Sequence, residues 1–141
     1  MKITSAGFNA NSTIPKKYTC EGDEVSPPLH VWDPPEDTKS LALIVEDPDA
    51  PSGDFVHWLL WNIDASIREI KEGSVIDGAA EGANDANILG WTGPCPPEGT
   101  HRYEFNLYAL DKILELPEGG TKEELRNEIV GHILEQATLV G

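Results

Sequence analysis

Hydrophobic residues along this chain come in short runs, each closed by turn-forming residues. Leu29-His30-Val31-Trp32 ends at Asp33-Pro34-Pro35, and Leu41-Ala42-Leu43-Ile44-Val45 ends at Asp47-Pro48. Phe55 through Trp61 makes a third run and Arg102 through Leu110 a fourth. β-Branched and aromatic residues held between turn signals predict strands. The third run is apolar at both parities, which predicts a strand covered on both faces. In the fourth, Tyr103, Phe105, Leu107 and Ala109 share one parity while Glu104 and Asn106 take the other, which predicts a strand with one wet face.

Residues 64–100 break this rhythm. Gly78, Gly82, Gly90, Gly93 and Gly99 fall among Ala, Asn and Asp, the mark of a long loop-rich stretch of the kind that carries function. At the tail, Gly119-Gly120 precedes Thr121-Lys122-Glu123-Glu124, which fits a capping box with Thr121 at the cap. Leu125, Ile129, Ile133 and Ala137 then recur every four residues, with Val130 and Leu134 beside them, and predict one amphipathic helix. The fold class is therefore mostly β with peripheral α, in one domain spanning residues 1–141.

Composition narrows the partners. Apolar residues make up 39% and charged residues 25%, a globular balance. Ten Lys and Arg stand against 25 Asp and Glu, for a net charge of −15. Nucleic acid and anionic membrane surfaces need a cationic face, so both are excluded as main partners. No apolar run approaches the roughly 20 residues that span a bilayer. The start, Met1-Lys2-Ile3-Thr4-Ser5-Ala6-Gly7, lacks the apolar stretch of a secretory signal, and the expected location is cytoplasmic. Cys20 and Cys95 are the two cysteines; a bridge between them is open, but reduced thiols are the expectation in a cytoplasmic protein.

Common catalytic signatures are missing: no G-x-S-x-G elbow, no phosphate loop, no H-E-x-x-H and no strand-to-helix G-x-G-x-x-G. Polar residues at strand ends remain. In Asp47-Pro48-Asp49-Ala50-Pro51 the prolines hold two carboxylates on a stiff corner, either as site residues or as caps of backbone N–H groups. His57 lies in an apolar run, where a buried imidazole needs a hydrogen-bond partner. Gly93-Pro94-Cys95-Pro96-Pro97 is a rigid loop whose glycine, with Gly99, leaves room for a ligand near the main chain. His101 and Tyr103, two apart, point the same way from a strand, while Arg102 points elsewhere and suits a structural ion pair.

These motifs carry a resemblance. Asp47-Pro48-Asp49-Ala50-Pro51 running on to His57-Trp58, and Gly90 through Tyr103 with its Gly93–Pro97 loop, are similar to the phosphatidylethanolamine-binding proteins, especially their short prokaryotic, Raf kinase inhibitor-like branch. Tyr18-Thr19-Cys20-Glu21-Gly22 and Val25-Ser26-Pro27-Pro28-Leu29 resemble the same branch. The resemblance implies a large antiparallel sheet packed on a smaller one, with helix at the C-terminal end. It implies a surface pocket for phosphate, phosphoryl or acetate-like anions, formed by Asp47, Asp49, His57, Gly93, Pro94, Cys95, Pro96, Pro97, His101 and Tyr103. It also implies a regulator or inhibitor of a kinase or protease, and a homodimer.

Two carboxylates in an anion pocket need an explanation. Unit charges about 4 Å apart repel by about 4 kcal/mol at an effective dielectric near 20. At least one of Asp47 and Asp49 is therefore expected to serve an imidazole or backbone N–H groups. A carboxylate behind His57 or His101 would orient that ring and favour its protonated, donor form. Loop N–H groups and the Tyr103 hydroxyl would add donors. The alternative is a hydrolase using Asp, His and Tyr on phosphoester or acyl substrates, with Cys95 as its one candidate nucleophile. Metal binding by Asp47, Asp49, His57 and His101 is a third reading that lacks a spaced ligand pair. The binding reading calls for no cofactor.

Overall fold

The structure, a computed structural model, describes residues 1–51, 53–74, 76–95 and 101–141. In chain order its elements are β1 (Lys2–Thr4), a 3-10 turn (Lys16–Tyr18), β2 (Leu29–Trp32), β3 (Ser40–Asp47), β4 (Phe55–Asp64), β5 (Glu69–Ile70), β6 (Ala80–Glu81), β7 (Glu104–Leu110), α1 (Lys122–Ile129) and β8 (Ile133–Val140). They form a three-stranded sheet, β1-β2-β5, and a five-stranded sheet, β6-β4-β3-β7-β8. Every pairing is antiparallel. The expected large sheet on a smaller sheet is what forms.

Alternation along the strands divides the core into two layers. Leu41, Leu43, Val45, Trp58, Leu60, Phe105 and Leu107 meet Ile3, Leu29, Val31 and Ile70 of the small sheet. On the opposite face, Ala42, Ile44, Leu59, Trp61, Tyr108 and Leu110 pack on Leu125 and Ile129 of α1 and on Leu114. The central strands β3 and β4 are covered on both sides; the apolar run of β4 predicts this for that strand, and β3 shares it. Burying each large apolar side chain contributes about 1.5–3 kcal/mol, so this double cover is where most of the stabilisation resides.

Two expectations are corrected. First, β7 has no wet face: Asn106 is buried and accepts from Thr138, while Tyr108 and Leu110 lie under α1. The local alternation was right in parity, but a helix that covers the second face leaves no trace inside the strand. Second, the helical tail stops early. Thr121 and Glu124 form the expected capping box, but α1 ends at Ile129. Gly131, with φ +81°, turns the chain in the left-handed region, and Ile133–Val140 returns as a strand on β7. The spacing of Ile133 and Ala137 from Ile129 fits a helix, yet as a strand the tail pairs along the whole of β7 and satisfies edge N–H and C=O groups that a continued helix would leave open.

Candidate functional site

The site is built at one end of the large sheet, and β4 is bulged there. Val45 faces Trp58 and Glu46 faces Val56, so His57 has no partner across the ladder. A bulge re-aims the side chain it carries. His57 O accepts from Thr92 N at 3.0 Å, and His57 Nδ1 donates to Thr92 O at 2.8 Å, which fixes the ring against the loop that follows β6. Tyr103 meets the His57 ring edge-on, with centroids 5.4 Å apart. Burial pushes the His57 pKa down from its ordinary 6.5, and hydrogen bonding to Thr92 with the charges of Asp47 and Asp85 opposes that only in part. His57 is thus held toward its neutral form, contrary to the expectation of a cationic ring there.

The two carboxylates of the proline corner do different work. Asp47, the last residue of β3, is buried; its Oδ1 accepts from Asp49 N at 2.8 Å and its Oδ2 lies 2.6 Å from His101 Nδ1. Asp49 turns away to Arg102, accepting from its backbone N at 2.8 Å and from Nε and Nη2 at 3.0 Å each. This forked pairing with Arg102 pulls the Asp49 pKa down to about 2. Arg102 is accordingly the structural ion-pair partner that its opposite strand parity suggested.

Asp47, His57, His101 and Tyr103 come together around one hollow of about 260 Å³, closed by Ala50, Pro51, Phe55, Thr92, Gly93 and Cys95. Tyr103 stacks on His101 at 6.5 Å, and its hydroxyl is buried without a hydrogen-bond partner among the described residues. Burial, with the charges of Asp47 and Asp49, pushes its pKa up to about 12, so the hydroxyl remains a donor throughout the neutral range. Asp49 and Pro94 do not line this hollow; Pro94 lies instead on a larger one of about 470 Å³ that shares the His101–Tyr103 wall. Pro96 and Pro97, with Gly99, lie outside the described residues.

Cys20 and Cys95 are bridged, with Cα atoms 5.5 Å apart, which corrects the expectation of two reduced thiols. The reason is tertiary: Cys20 N donates to Pro94 O at 3.2 Å and Trp91 Nε1 donates to Tyr18 O at 3.1 Å, so the turn after Lys16–Tyr18 lies along the rim loop. The bridge leaves Cys95 no thiol to serve as a nucleophile. Gly93 is also used differently from expectation. A Cβ there would sit 2.6 Å from Tyr18 O, and its N–H is taken by Glu24 Oε2 at 3.3 Å, so this glycine permits close approach of two chain segments and offers no amide to a ligand. Among the described residues, no group of three or more His, Cys, Asp or Glu is placed to hold a metal ion.

Thr92, Phe55, Ala50 and Pro51 were not anticipated as parts of the hollow. Phe55 could have been: it faces Asp47 across the β3–β4 pair, the register a short turn after Asp47 produces. Thr92 contributes through its carbonyl and amide, which carry no side-chain signal in a sequence.

Comparison with known proteins agrees with this architecture. The family model described as phosphatidylethanolamine-binding protein matches residues 4–141. A UPF0098 protein of Methanothermobacter thermautotrophicus is 46% identical over 147 residues, covering 100% of this chain and 97% of that one. A UPF0098 protein of Chlamydia muridarum is also 46% identical, with the same coverage of both chains. Among solved structures, a putative phosphatidylethanolamine-binding protein homolog of Chlamydia trachomatis superposes with a TM-score of 0.96 at 44% identity, over 99% of this chain and 94% of that chain. Escherichia coli YbcL, described as a member of the mammalian family, superposes with a TM-score of 0.92 at 27% identity, again over 99% and 94%. With the family model matched over residues 4–141 and a superposition at a TM-score of 0.96 on a homolog 44% identical, the chain belongs to the phosphatidylethanolamine-binding protein family.

Proposed function

We propose that this protein is a non-catalytic binding protein whose hollow takes a small anionic group, phosphoryl or carboxylate, presented by a partner that it regulates. The observation that carries this reading is the buried Tyr103 hydroxyl, without a hydrogen-bond partner among the described residues, beside His57 and His101. A buried donor left unmatched is destabilising by about 1–3 kcal/mol, and an anionic oxygen relieves that penalty. The hydrolase reading is the weaker one, because its one candidate nucleophile, Cys95, is held in a disulfide.

Size limits what the hollow achieves alone. At about 1.5 kcal/mol for each of the five non-hydrogen atoms, inorganic phosphate binds no more tightly than about micromolar. A partner such as a kinase or protease must therefore use surface beyond the hollow. Calorimetric titration with inorganic phosphate tests the site. Binding to the wild type that weakens by about tenfold in Tyr103→Phe supports it. Equal binding by both would remove the hydroxyl, and with it this reading of the hollow.

A further inference from the structure

We propose that, of the two groups named above, the hollow favours the phosphoryl one, and takes it in a form that still carries a proton, the monoanion of phosphate or of a phosphomonoester, in preference to a fully ionised oxyanion such as sulfate. This rests on the anion-site reading above and adds the chemical form of the ligand.

The reason lies in the acceptors. A carbonyl only accepts, so the His57 Nδ1 bonded to Thr92 O carries the ring hydrogen, and Nε2 of the neutral ring is a lone pair. Asp47 is acceptor-only as a carboxylate, with about four lone-pair positions. Two contacts engage it, from Asp49 N and His101 Nδ1, so it has capacity left on the hollow it lines. Against these acceptors the hollow sets, among the described residues, one donor that holds its hydrogen throughout the neutral range, the Tyr103 hydroxyl; His101, with Nδ1 on Asp47, adds a second only when its ring is protonated. The loop amide that could have added another, Gly93 N–H, is bonded to Glu24.

A sulfate oxygen set against Asp47 or His57 Nε2 meets a lone pair with a lone pair, and its charge meets a buried carboxylate. A phosphate monoanion can turn its P–O–H toward the same acceptor and donate, while another oxygen accepts from Tyr103. His101 offsets the Asp47 charge only when its own ring is protonated, and the other charged groups nearby are already engaged. Asp85 acts on His57 from the β6–β7 segment and accepts from Val56 N, and Asp49 and Arg102 neutralise each other at the rim. The choice falls close to the neutral range, since phosphomonoesters lose their second proton near pH ~6.

The experiment is calorimetric titration of the intact protein with inorganic phosphate, methyl phosphate and sulfate, at about pH 6, 7 and 8. Expected is a preference for the phosphates over sulfate of about tenfold or more at the lowest pH, shrinking as the pH rises. That result with either phosphate supports the inference, and the tighter of the two names the source. In Asp47→Asn, sulfate should gain and the preference should fall to within about threefold. Should that variant not fold, titrating the wild type with phosphate and with sulfate near pH ~8 in buffers of different ionisation heat separates a proton carried by the anion from one taken up by an imidazole, because sulfate has no proton to gain. Net proton uptake with phosphate that exceeds that with sulfate supports the inference, and equal uptake with both, or none with phosphate, overturns it. Sulfate binding within about threefold of phosphate at every pH would overturn it while leaving an anion site. Failure of all three anions to bind would remove the anion site as well.

Discussion

An imidazole enclosed by Phe55, Trp91 and Tyr103 holds a proton less readily than one in water. The sign of the effect on stability follows. Folded His57 has a pKa below its ordinary 6.5, so as pH falls through that value the unfolded chain takes up a proton the folded one declines. Stability from this group is present above the ordinary value and is lost on acidification below it. Thermal unfolding between about pH 7 and pH 5 should show a falling Tm, and His57→Gln should flatten the slope. An equal slope in the variant would place the proton elsewhere. The identities of His57, His101 and Tyr103 as polar residues in apolar or Pro-rich surroundings were legible in the sequence. Which ring nitrogen faces the hollow was not, because that depends on the Thr92 carbonyl, a backbone group brought there from 35 residues away in the chain.

Strand β4 shows what an element adds to its residues. Val56, Leu59 and Trp61 face α1, while Trp58, Leu60 and Ile63 face the small sheet. Strict alternation would put Val56 and Trp58 on one face. Bulges at His57 and at Asn62 each reverse the parity, and because the run is apolar throughout, its sequence gave no sign of either. Asn62 stabilises the second bulge. It adopts φ +55°, its Nδ2 donates to Leu114 O at 2.9 Å, and its Oδ1 accepts from Leu114 N at 2.8 Å. Asn62→Ala should destabilise by about 2–4 kcal/mol in urea unfolding, since it loses two hydrogen bonds and strains the left-handed backbone. Asn62→Gly keeps the backbone freedom and should recover about 1 kcal/mol of that. Matching losses in the two variants would show that the backbone conformation carries no strain. The other covering element, α1, is held to the sheet by Leu125 and Ile129 beneath and by Lys122 and Arg126 on the buried Glu46.

Across the molecule, the disulfide joins chain segments 75 residues apart and draws the rim of the hollow onto the turn that follows Lys16–Tyr18. Closing a loop of that length removes unfolded-state entropy worth about 4 kcal/mol. Cys20→Ser should lower the stability by about that much, and reduction of the wild type should reproduce most of the change. A variant as stable as the wild type would show the bridge to be absent from the folded protein in solution. Among the described residues, no helix is long and apolar enough to cross a membrane.

Short apolar runs between prolines, glycines and aspartates were enough to specify a mostly β fold, its central strands and the start of its helix, because those depend on local conformation and on which faces avoid water; the two-sheet arrangement came from the family resemblance. The family motifs carried the identities of the residues around the hollow as well. The end of the helix, the cover over β7, the Cys20–Cys95 pairing and the division of labour between Asp47 and Asp49 arose from contacts between distant segments. Their energies depend on three-dimensional neighbours: a strand edge seeking partners for its N–H and C=O groups, a carboxylate taken up by Arg102, and two sulfurs brought within bonding reach.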